Sequence, residues 1–229
     1  MPSLQLDKSI FNFLKKLKKN NNRDWFNANK DEYLVEHQKI ILFADALLSE
    51  MNKHDRIETV SGKKSLHRIY RDTRFSLDKT PYKINWSGSF SRATSKLRGG
   101  YYFHLEPGNT FVGGGFWSPN PEDLNRIRVE ISSNGDALRK ILNSKKFKDN
   151  FGTLDGEELK SGPKGFDKEH KHLDLLKKKQ FLIGKSFTDA EVFASNFHLK
   201  LCAGFKEMRP FFNFMSEALT TDANGESIV

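Results

Sequence analysis

Cysteine is almost absent from this chain of 229 residues, in which Cys202 is the only one. A single thiol cannot form an internal disulfide, so the sequence does not require an oxidising compartment. Cys202 lies within an apolar helical pattern, and this setting predicts a buried, inert thiol. The thiolate clusters that hold structural zinc are excluded for the same reason.

Long hydrophobic runs are also missing. No stretch of about 18 apolar residues is present, so we expect neither a membrane-spanning helix nor a membrane partner. The first residues, MPSLQLDKSIFNFLKKLKK, contain no uninterrupted apolar core and no small-residue cleavage site, unlike a secretory signal. The expected location is therefore the cytoplasm.

Several familiar catalytic motifs are absent as well. The chain contains no His-Glu-x-x-His and no Gly-x-Ser-x-Gly sequence. The glycines at residues 113–115 fit neither a dinucleotide-binding fingerprint nor a phosphate-binding P-loop. These absences remove common enzyme classes, although not enzymes in general, and we expect no cofactor.

Aromatic residues, by contrast, are plentiful, and 20 phenylalanines supply much of a core. Apolar spacing predicts a long helix over residues 24–53 and a last helix that begins at Pro210. Between these helices, the pattern predicts strands over residues 66–71 and 83–92. A hairpin with its turn at Pro107-Gly108 is expected to follow them.

Helices that come first and last around antiparallel strands are typical of an α+β fold rather than of alternating βαβ units. No repeat or low-complexity linker interrupts the chain. We therefore expect a single domain over residues 1–220, with a central, mostly antiparallel sheet flanked by N-terminal and C-terminal helices. Residues 221–229 are expected to form a polar C-terminal tail.

Positive charge is in excess, with a formal net charge of +9, and most of that excess is local. Residues 61–120 contain ten Lys or Arg but only three Asp or Glu. The most informative part is the run of residues 68–83, hereafter the basic segment. Such a patch attracts phosphate, carboxylate or nucleic acid, whereas the simplest alternative is a solvated basic face.

The basic segment supplies the candidate ligand-binding residues. Arginine presents a planar fork of donors that pairs with carboxylate or phosphate, and lysine and tyrosine add further donors. The candidates are Arg68, Arg71, Arg74, Lys79, Tyr82 and Lys83. Asp72 can reach an arginine whether the segment is strand or helix, so an internal network of ion pairs is the competing interpretation.

Candidates for proton transfer are fewer. Asp72 and Asp78 lie in the basic segment, and His104 lies in a predicted strand with Tyr102 and Glu106 on the same face. A His and a Glu two residues apart can act as acid and base or as two metal ligands. Two ligands do not complete a zinc site, however.

A second pair of histidines, His170 and His172, can bind a metal only with help from Asp167 or Asp174. Lysines surround this pair and favour a solvated helix instead. We therefore expect no metal site in the chain.

The basic segment also carries a resemblance to a known family. It contains the pattern Arg-x-x-Arg-Asp-x-Arg-Phe-x-x-Asp/Asn-Lys-x-x-Tyr, filled by Arg68, Arg71, Asp72, Arg74, Phe75, Asp78, Lys79 and Tyr82. The chain thereby resembles a mainly bacterial family known as domain of unknown function 2461. Residues 21–26, 100–105, 113–117 and 175–177 extend the resemblance over nearly the whole chain. The family has no established activity to carry over, so the resemblance implies membership but no function.

Three hypotheses of function follow from these residues. The first is a binding module that recognises an anionic small molecule, or a nucleic acid, through the basic segment. The second is an enzyme that acts on an anionic small molecule, for which Arg71 and His104 should face one pocket. The third is a structural protein whose basic segment is an internal network of ion pairs.

Overall fold

The computed structural model describes residues 5–222 and 224–229. Over these residues the helices are α1 Ser9–Lys19, α2 Arg23–Ala28, α3 Lys30–Met51, α4 Gly62–Ser65, α5 Pro121–Asn143, α6 Lys145–Phe151, α7 Leu173–Leu176, α8 Asp189–Val192 and α9 Phe197–Thr220. The strands are β1 Trp86–Ser91, β2 Gly100–Leu105, β3 Thr110–Phe116 and β4 Phe181–Phe187. The predicted α+β class is confirmed.

The four strands form one antiparallel sheet in the order β1-β2-β3-β4. Successive side chains of a strand point to opposite faces, so each strand has a core side and an outer side. In β2, Phe103 and Leu105 are fully buried on the core side. Tyr102 and His104 therefore lie together on the outer face of the sheet, where polar residues can meet. The predicted hairpin is β2 and β3.

The chain divides into two compact units. The first consists of the chain up to Phe90 together with Tyr102–Val112 and Ser186–Ala203. Its core is aromatic: Phe43 of α3 stacks on Phe197 with ring centroids 5.9 Å apart and meets Phe103 edge-on at 6.3 Å. All residues of the basic segment belong to this unit.

The second unit consists of Ser91–Tyr101, Gly113–Lys185 and the chain from Gly204 onward. Phe212 of α9 lies at its centre, with the ring of Tyr101 at 5.1 Å and that of Phe116 at 6.4 Å. A Cβ on Gly114 would lie 2.6 Å from the Phe212 ring, so the glycine makes room for the aromatic side chain. A glycine inside a strand is typical of such a close approach.

The long helix predicted over residues 24–53 is two helices, α2 and α3. Asn22 caps the start of α2: its side-chain oxygen accepts a hydrogen bond from the backbone N–H of Trp25. Asn29 interrupts the helix with φ −112° and ψ 21°, and its side-chain amide donates to Trp25 O at 2.8 Å. Asparagine competes for backbone carbonyls in this way, which is why the helix breaks there.

Pro210 lies inside α9 and does not begin a new helix, contrary to the prediction. A proline in a helix interior removes one hydrogen bond and costs about 3 kcal/mol. Phe205, Phe211 and Phe212 around it are fully buried, and burial of each such side chain contributes roughly 1.5–3 kcal/mol. The packing therefore carries the helix through the proline.

The described part of the tail folds back on the end of α9. Ile228 N donates to Thr220 O at 2.9 Å, and Thr221 pairs with Ser227 in an antiparallel bridge. Across residues 5–222 and 224–229, no helix has both the length and the apolar composition needed to cross a membrane.

Candidate functional site

The basic segment forms a loop between two paired arms. Tyr70 and Tyr82 make an antiparallel bridge, one on each arm. Next to this bridge, Arg71 N donates to Pro81 O at 2.9 Å. Residues 72–80 leave the pairing and form an exposed loop, which the arms hold at its base.

The strand predicted over residues 66–71 is reduced to isolated bridges. Leu66 pairs with Gly88 of β1, whereas Tyr70 pairs with Tyr82. Because the two ends of this stretch have different partners, no continuous ladder forms between them. The tertiary pairing thus overrides the local β pattern.

Arg71 fastens the far side of the loop to its base. Its guanidinium donates to the Asp78 carboxylate and to the Thr80 hydroxyl, and it reaches Thr80 O at 3.3 Å. The Thr80 N–H also donates to Asp78 Oδ1 at 2.9 Å. This N–H and the Arg71 guanidinium together lower the pKa of Asp78 to about 2. The ionised carboxylate is therefore part of the loop structure.

Arg74 and Lys79 also bind groups within the loop. Arg74 grips Asp72 with two donors, Nε at 3.0 Å and Nη2 at 2.7 Å, in the planar geometry that suits a carboxylate. This hydrogen bonding lowers the pKa of Asp72 and raises that of Arg74. Lys79 Nζ donates to Thr73 O at 2.9 Å. Arg71, Arg74 and Lys79, three of the six candidate ligand-binding residues, therefore bind groups within the loop.

Arg68 and Lys83 differ from these residues. Neither side chain forms a hydrogen bond or ion pair with any residue that the structure describes. Lys83 N donates to Ile69 O at 2.7 Å, which ties the lysine to the first arm beside Arg68. Burial lowers the pKa of the Lys83 amine, and the positive charge of Arg68 lowers it further. The positive charge of Arg68 acts on the Asp72 carboxylate, but the hydrogen bonds of that carboxylate come from Arg74.

Tyr82 is the anchor of the second arm. Its ring is only 3 % exposed and stacks on Phe26 of α2, with centroids 4.1 Å apart and planes at 18°. The side-chain amide of Asn21 binds both backbone groups of Tyr82. Burial raises the pKa of the phenol. Tyr82 therefore fixes the position of the arm that carries Lys83.

A chain of polar side chains begins beside Lys83 on the outer face of the sheet. His67 Nε2 lies 3.0 Å from Ser89 Oγ, and its Nδ1 lies 3.4 Å from Ser87 Oγ. Burial lowers the pKa of His67, and the charge of Lys83 lowers it further, so both favour the neutral imidazole. Burial raises the pKa of the Tyr102 phenol, and the nearby Ser87 hydroxyl lowers it.

The chain continues through the residues that the sequence grouped around His104. Tyr102 Oη lies 3.0 Å from His104 Nδ1, and His104 Nε2 lies 2.9 Å from Glu106 Oε2. Asn109 donates to the same oxygen at 3.1 Å, and the Phe111 ring stacks on the imidazole at 4.8 Å. Both ring nitrogens of His104 thus have partners, and the ring orientation is fixed.

Glu106 is also part of the wall of a cavity of about 240 Å³. The other residues that line it are Leu14, Lys15, Lys18, Ile84 and Pro107. Neither Arg71 nor His104 is among them, so this cavity is not the shared pocket that the enzyme hypothesis expects of these two residues.

The second histidine pair is occupied by hydrogen bonds of its own. His170 Nδ1 accepts from His172 N at 3.1 Å, and its Nε2 lies 3.1 Å from Ser132 O. No ring nitrogen of His170 is then left to bind a metal. Over residues 5–222 and 224–229, no three His, Cys, Asp or Glu side chains are grouped as a metal site requires.

Sequence reasoning did not assign Asn21, His67 or Ser87 to this region. Asn21 and Tyr82 are far apart in the chain, and no local pattern indicates their pairing. His67 and Ser87 are likewise joined only by the fold. The alternation of serines in β1, at 87 and 89, was the one available hint of a polar outer face.

Comparison with known proteins identifies a matching family. No curated protein and no solved structure matches the chain. The model of one family, described as a conserved hypothetical protein (DUF2461), matches residues 9–214. These residues include the basic segment, Asn21 and the polar chain up to Glu106. The chain therefore belongs to the DUF2461 family of conserved hypothetical proteins.

Proposed function

We propose that the basic segment binds a phosphate- or carboxylate-bearing ligand and that Arg68 and Lys83 make the contact. The observation that carries this proposal is that the positive charge of Arg68 acts on Lys83, while no carboxylate of the described residues is hydrogen-bonded to either side chain. An anion between them would replace repulsion with attraction and raise the pKa of Lys83 toward its ordinary value.

The remaining candidates of the basic segment support this contact indirectly. Arg71, Arg74 and Lys79 hold the loop in one shape, and Tyr82 holds the arm that carries Lys83. The internal network of ion pairs then positions the residues that bind the ligand. Preorganised donors bind more tightly because less freedom is lost on binding.

Thermal unfolding with inorganic phosphate, pyrophosphate or a dicarboxylate tests the proposal. A ligand present at 100 times its dissociation constant stabilises by about 2.7 kcal/mol, which is a shift of roughly 5–10 °C for a chain of this size. We expect Arg68→Ala and Lys83→Met to abolish the shift. Arg56→Ala is the matched control, because Arg56 is an exposed arginine outside the basic segment whose side chain forms no hydrogen bond or ion pair with a described residue.

His67 offers a second readout that does not depend on stability. Binding of an anion next to Lys83 should raise the pKa of His67, since it offsets the lysine charge. Proton NMR of the imidazole with and without pyrophosphate measures this change. If neither the melting temperature nor the His67 pKa responds to any of the anions, the proposal fails.

A second candidate function is an enzyme that acts on the same anionic ligand. The observation that favours it is the row of polar side chains from His67, beside Lys83, to Glu106, in which Tyr102, His104 and Glu106 are joined by hydrogen bonds. Asp72 and Asp78 suit proton transfer less well, because their lowered pKa values make them weak bases at neutral pH. The proton-transfer role would therefore fall to His67 and His104.

Matched variants separate the enzyme from the binding protein. Once an anion is found that binds, His67→Gln and His104→Gln should keep its affinity and lose any turnover of it. The enzyme hypothesis predicts that the wild-type chain converts the bound anion to a product, which phosphorus or proton NMR measures. If the wild type and the variants all form negligible product, the enzyme hypothesis is wrong and only the binding function remains.

Cytoplasmic location is part of the same proposal. A single buried thiol suits a reducing compartment. Fractionation of cells that produce the tagged chain tests the location, and recovery in a secreted or envelope fraction would contradict it.

A further inference from the structure

Two aromatic rings of the basic segment are exposed to solvent. Phe75, in the loop, is 96 % exposed, and Tyr70, on the first arm, is 52 % exposed. An exposed ring gains nothing from the core, so its surface remains available for a partner. Arg74 lies over the Phe75 ring, and Arg71 follows Tyr70 in the chain. Exposed rings combined with cations are typical of surfaces that bind single strands of nucleic acid.

Neighbouring side chains hold each ring in place. Tyr70 packs against Tyr82 with centroids 5.3 Å apart and meets Phe26 at 6.2 Å. The guanidinium of Arg74 lies over the Phe75 ring, 5.9 Å from its centroid. Since Asp72 also grips Arg74, the loop presents Phe75 without needing to fold around a ligand. Each ring is therefore held in place before a ligand arrives.

Three cations accompany the rings. Arg68 and Lys83 were described above, and Arg23, at the start of α2, is the third. Arg23 is close enough to Tyr82 to counter the rise in that phenol's pKa. Like the other two, it makes no hydrogen bond or ion pair with a residue that the structure describes. These cations can follow a chain of phosphates, whereas one small anion needs only two.

We propose that the anionic ligand is a single strand of nucleic acid, whose bases stack on Phe75 and Tyr70 and whose phosphates contact Arg23, Arg68 and Lys83. This inference rests on the proposed anion site and names its ligand class. Stacking on an exposed ring requires an unpaired base, so a duplex offers only its phosphates to this surface. Every base has a face that can stack, so little sequence preference is expected.

Fluorescence anisotropy with a labelled single-stranded oligonucleotide of about 12 nucleotides tests the inference. Loss of one stacked base weakens binding by roughly five- to one-hundred-fold, so Phe75→Ala should raise the Kd by that factor. Leu77→Ala is the matched control, because Leu77 is an equally exposed apolar residue of the same loop without a ring. It should leave the Kd unchanged.

The phosphate contacts have a separate signature in salt. Each neutralised phosphate of a single strand contributes about −0.7 to the slope of log K against log salt. We expect Arg23→Ala and Arg68→Ala each to reduce the slope by about that amount. A slope near zero in the wild type would overturn the inference.

Inorganic polyphosphate distinguishes failure of this inference from failure of the anion site. It carries phosphates without bases, so Phe75→Ala should not affect its binding, whereas Arg68→Ala should weaken it. If polyphosphate binds but the oligonucleotide gains nothing from Phe75, the stacking inference is wrong and the anion site stands. If neither probe binds, both are wrong.

Two further outcomes would also overturn the inference. Equal affinity for a duplex and a single strand of the same length would remove the role of stacking. Binding to vesicles of anionic phospholipid that is lost in both Phe75→Ala and Leu77→Ala, without oligonucleotide binding, would identify a lipid surface instead. Thermal unfolding of the variants confirms that they fold, which exposed positions should permit.

Discussion

Asn21 binds the backbone of Tyr82 at both of its polar groups, across 61 residues of sequence. The Asn21 amide donates to Tyr82 O at 2.9 Å, and its Oδ1 accepts from Tyr82 N at 3.1 Å. A side-chain amide has one donor end and one acceptor end, so it fits a single residue's backbone in this way. The arm that carries Lys83 is fixed by this pair of bonds.

Asn21→Ala should destabilise the protein, because the backbone groups of Tyr82 lose their partners. A partly buried group left without a partner costs about 1–3 kcal/mol. Urea unfolding measures the loss. Asn27→Ala is the control: Asn27 is exposed on the neighbouring helix, and no hydrogen bond of its side chain to a described residue is lost with it. Equal stability of the two variants would contradict the role of Asn21.

Arg71→Ala should raise the pKa of Asp78 from about 2 toward the ordinary value, because the hydrogen bond and the positive charge of the guanidinium are lost while the Thr80 N–H remains. Carbon NMR of the Asp78 carboxyl measures the change. The folded state favours the ionised form, so its contribution to stability is complete above roughly pH 4 and is lost as the pH falls toward 2. Arg74→Ala should leave Asp78 unchanged and raise the pKa of Asp72 instead.

Gly115→Ala should be among the most damaging substitutions in β3. A Cβ at this position would lie 2.1 Å from Phe181 O of β4, and the backbone has φ +132°. Strain and overlap together cost roughly 3–5 kcal/mol. Gly108→Ala is the comparison, since its φ is +75° and nothing lies within 4 Å of the added Cβ. It should cost only about 1–2 kcal/mol, for the left-handed backbone. Denaturant unfolding of both variants measures the difference.

Cys202 should not react with thiol reagents in the folded protein. Burial raises the pKa of its thiol to about 12, and its Sγ lies 3.7 Å from Leu47 O. The thiolate is the reactive form, so the native chain should show no reaction at neutral pH. A chromogenic disulfide reagent should detect one thiol only after denaturant is added. Rapid reaction of the native protein would contradict the burial.

Features that depend on neighbouring residues could be predicted from the sequence. Asn120 caps α5 with Pro121 at its first turn, and Thr188 with Glu191 forms a capping box; both caps are short motifs that can be read directly in the sequence. The hairpin of β2 and β3 and the family membership were also correctly predicted. In each case the decisive contacts, or the matched pattern, span few residues, so the sequence contains all that is needed.

The sequence by itself thus determined the α+β class, the N-terminal caps of α5 and α8, the β2–β3 hairpin and the concentration of positive charge in the basic segment. Only the tertiary structure decided which of those cations form ion pairs. Arg71 and Arg74 pair with carboxylates, whereas Arg68 and Lys83 are not paired with any described residue. It also decided that α9 continues through Pro210. The physical reason is that hydrogen bonding and burial depend on which distant residues the fold brings together, and charge composition alone does not contain that information.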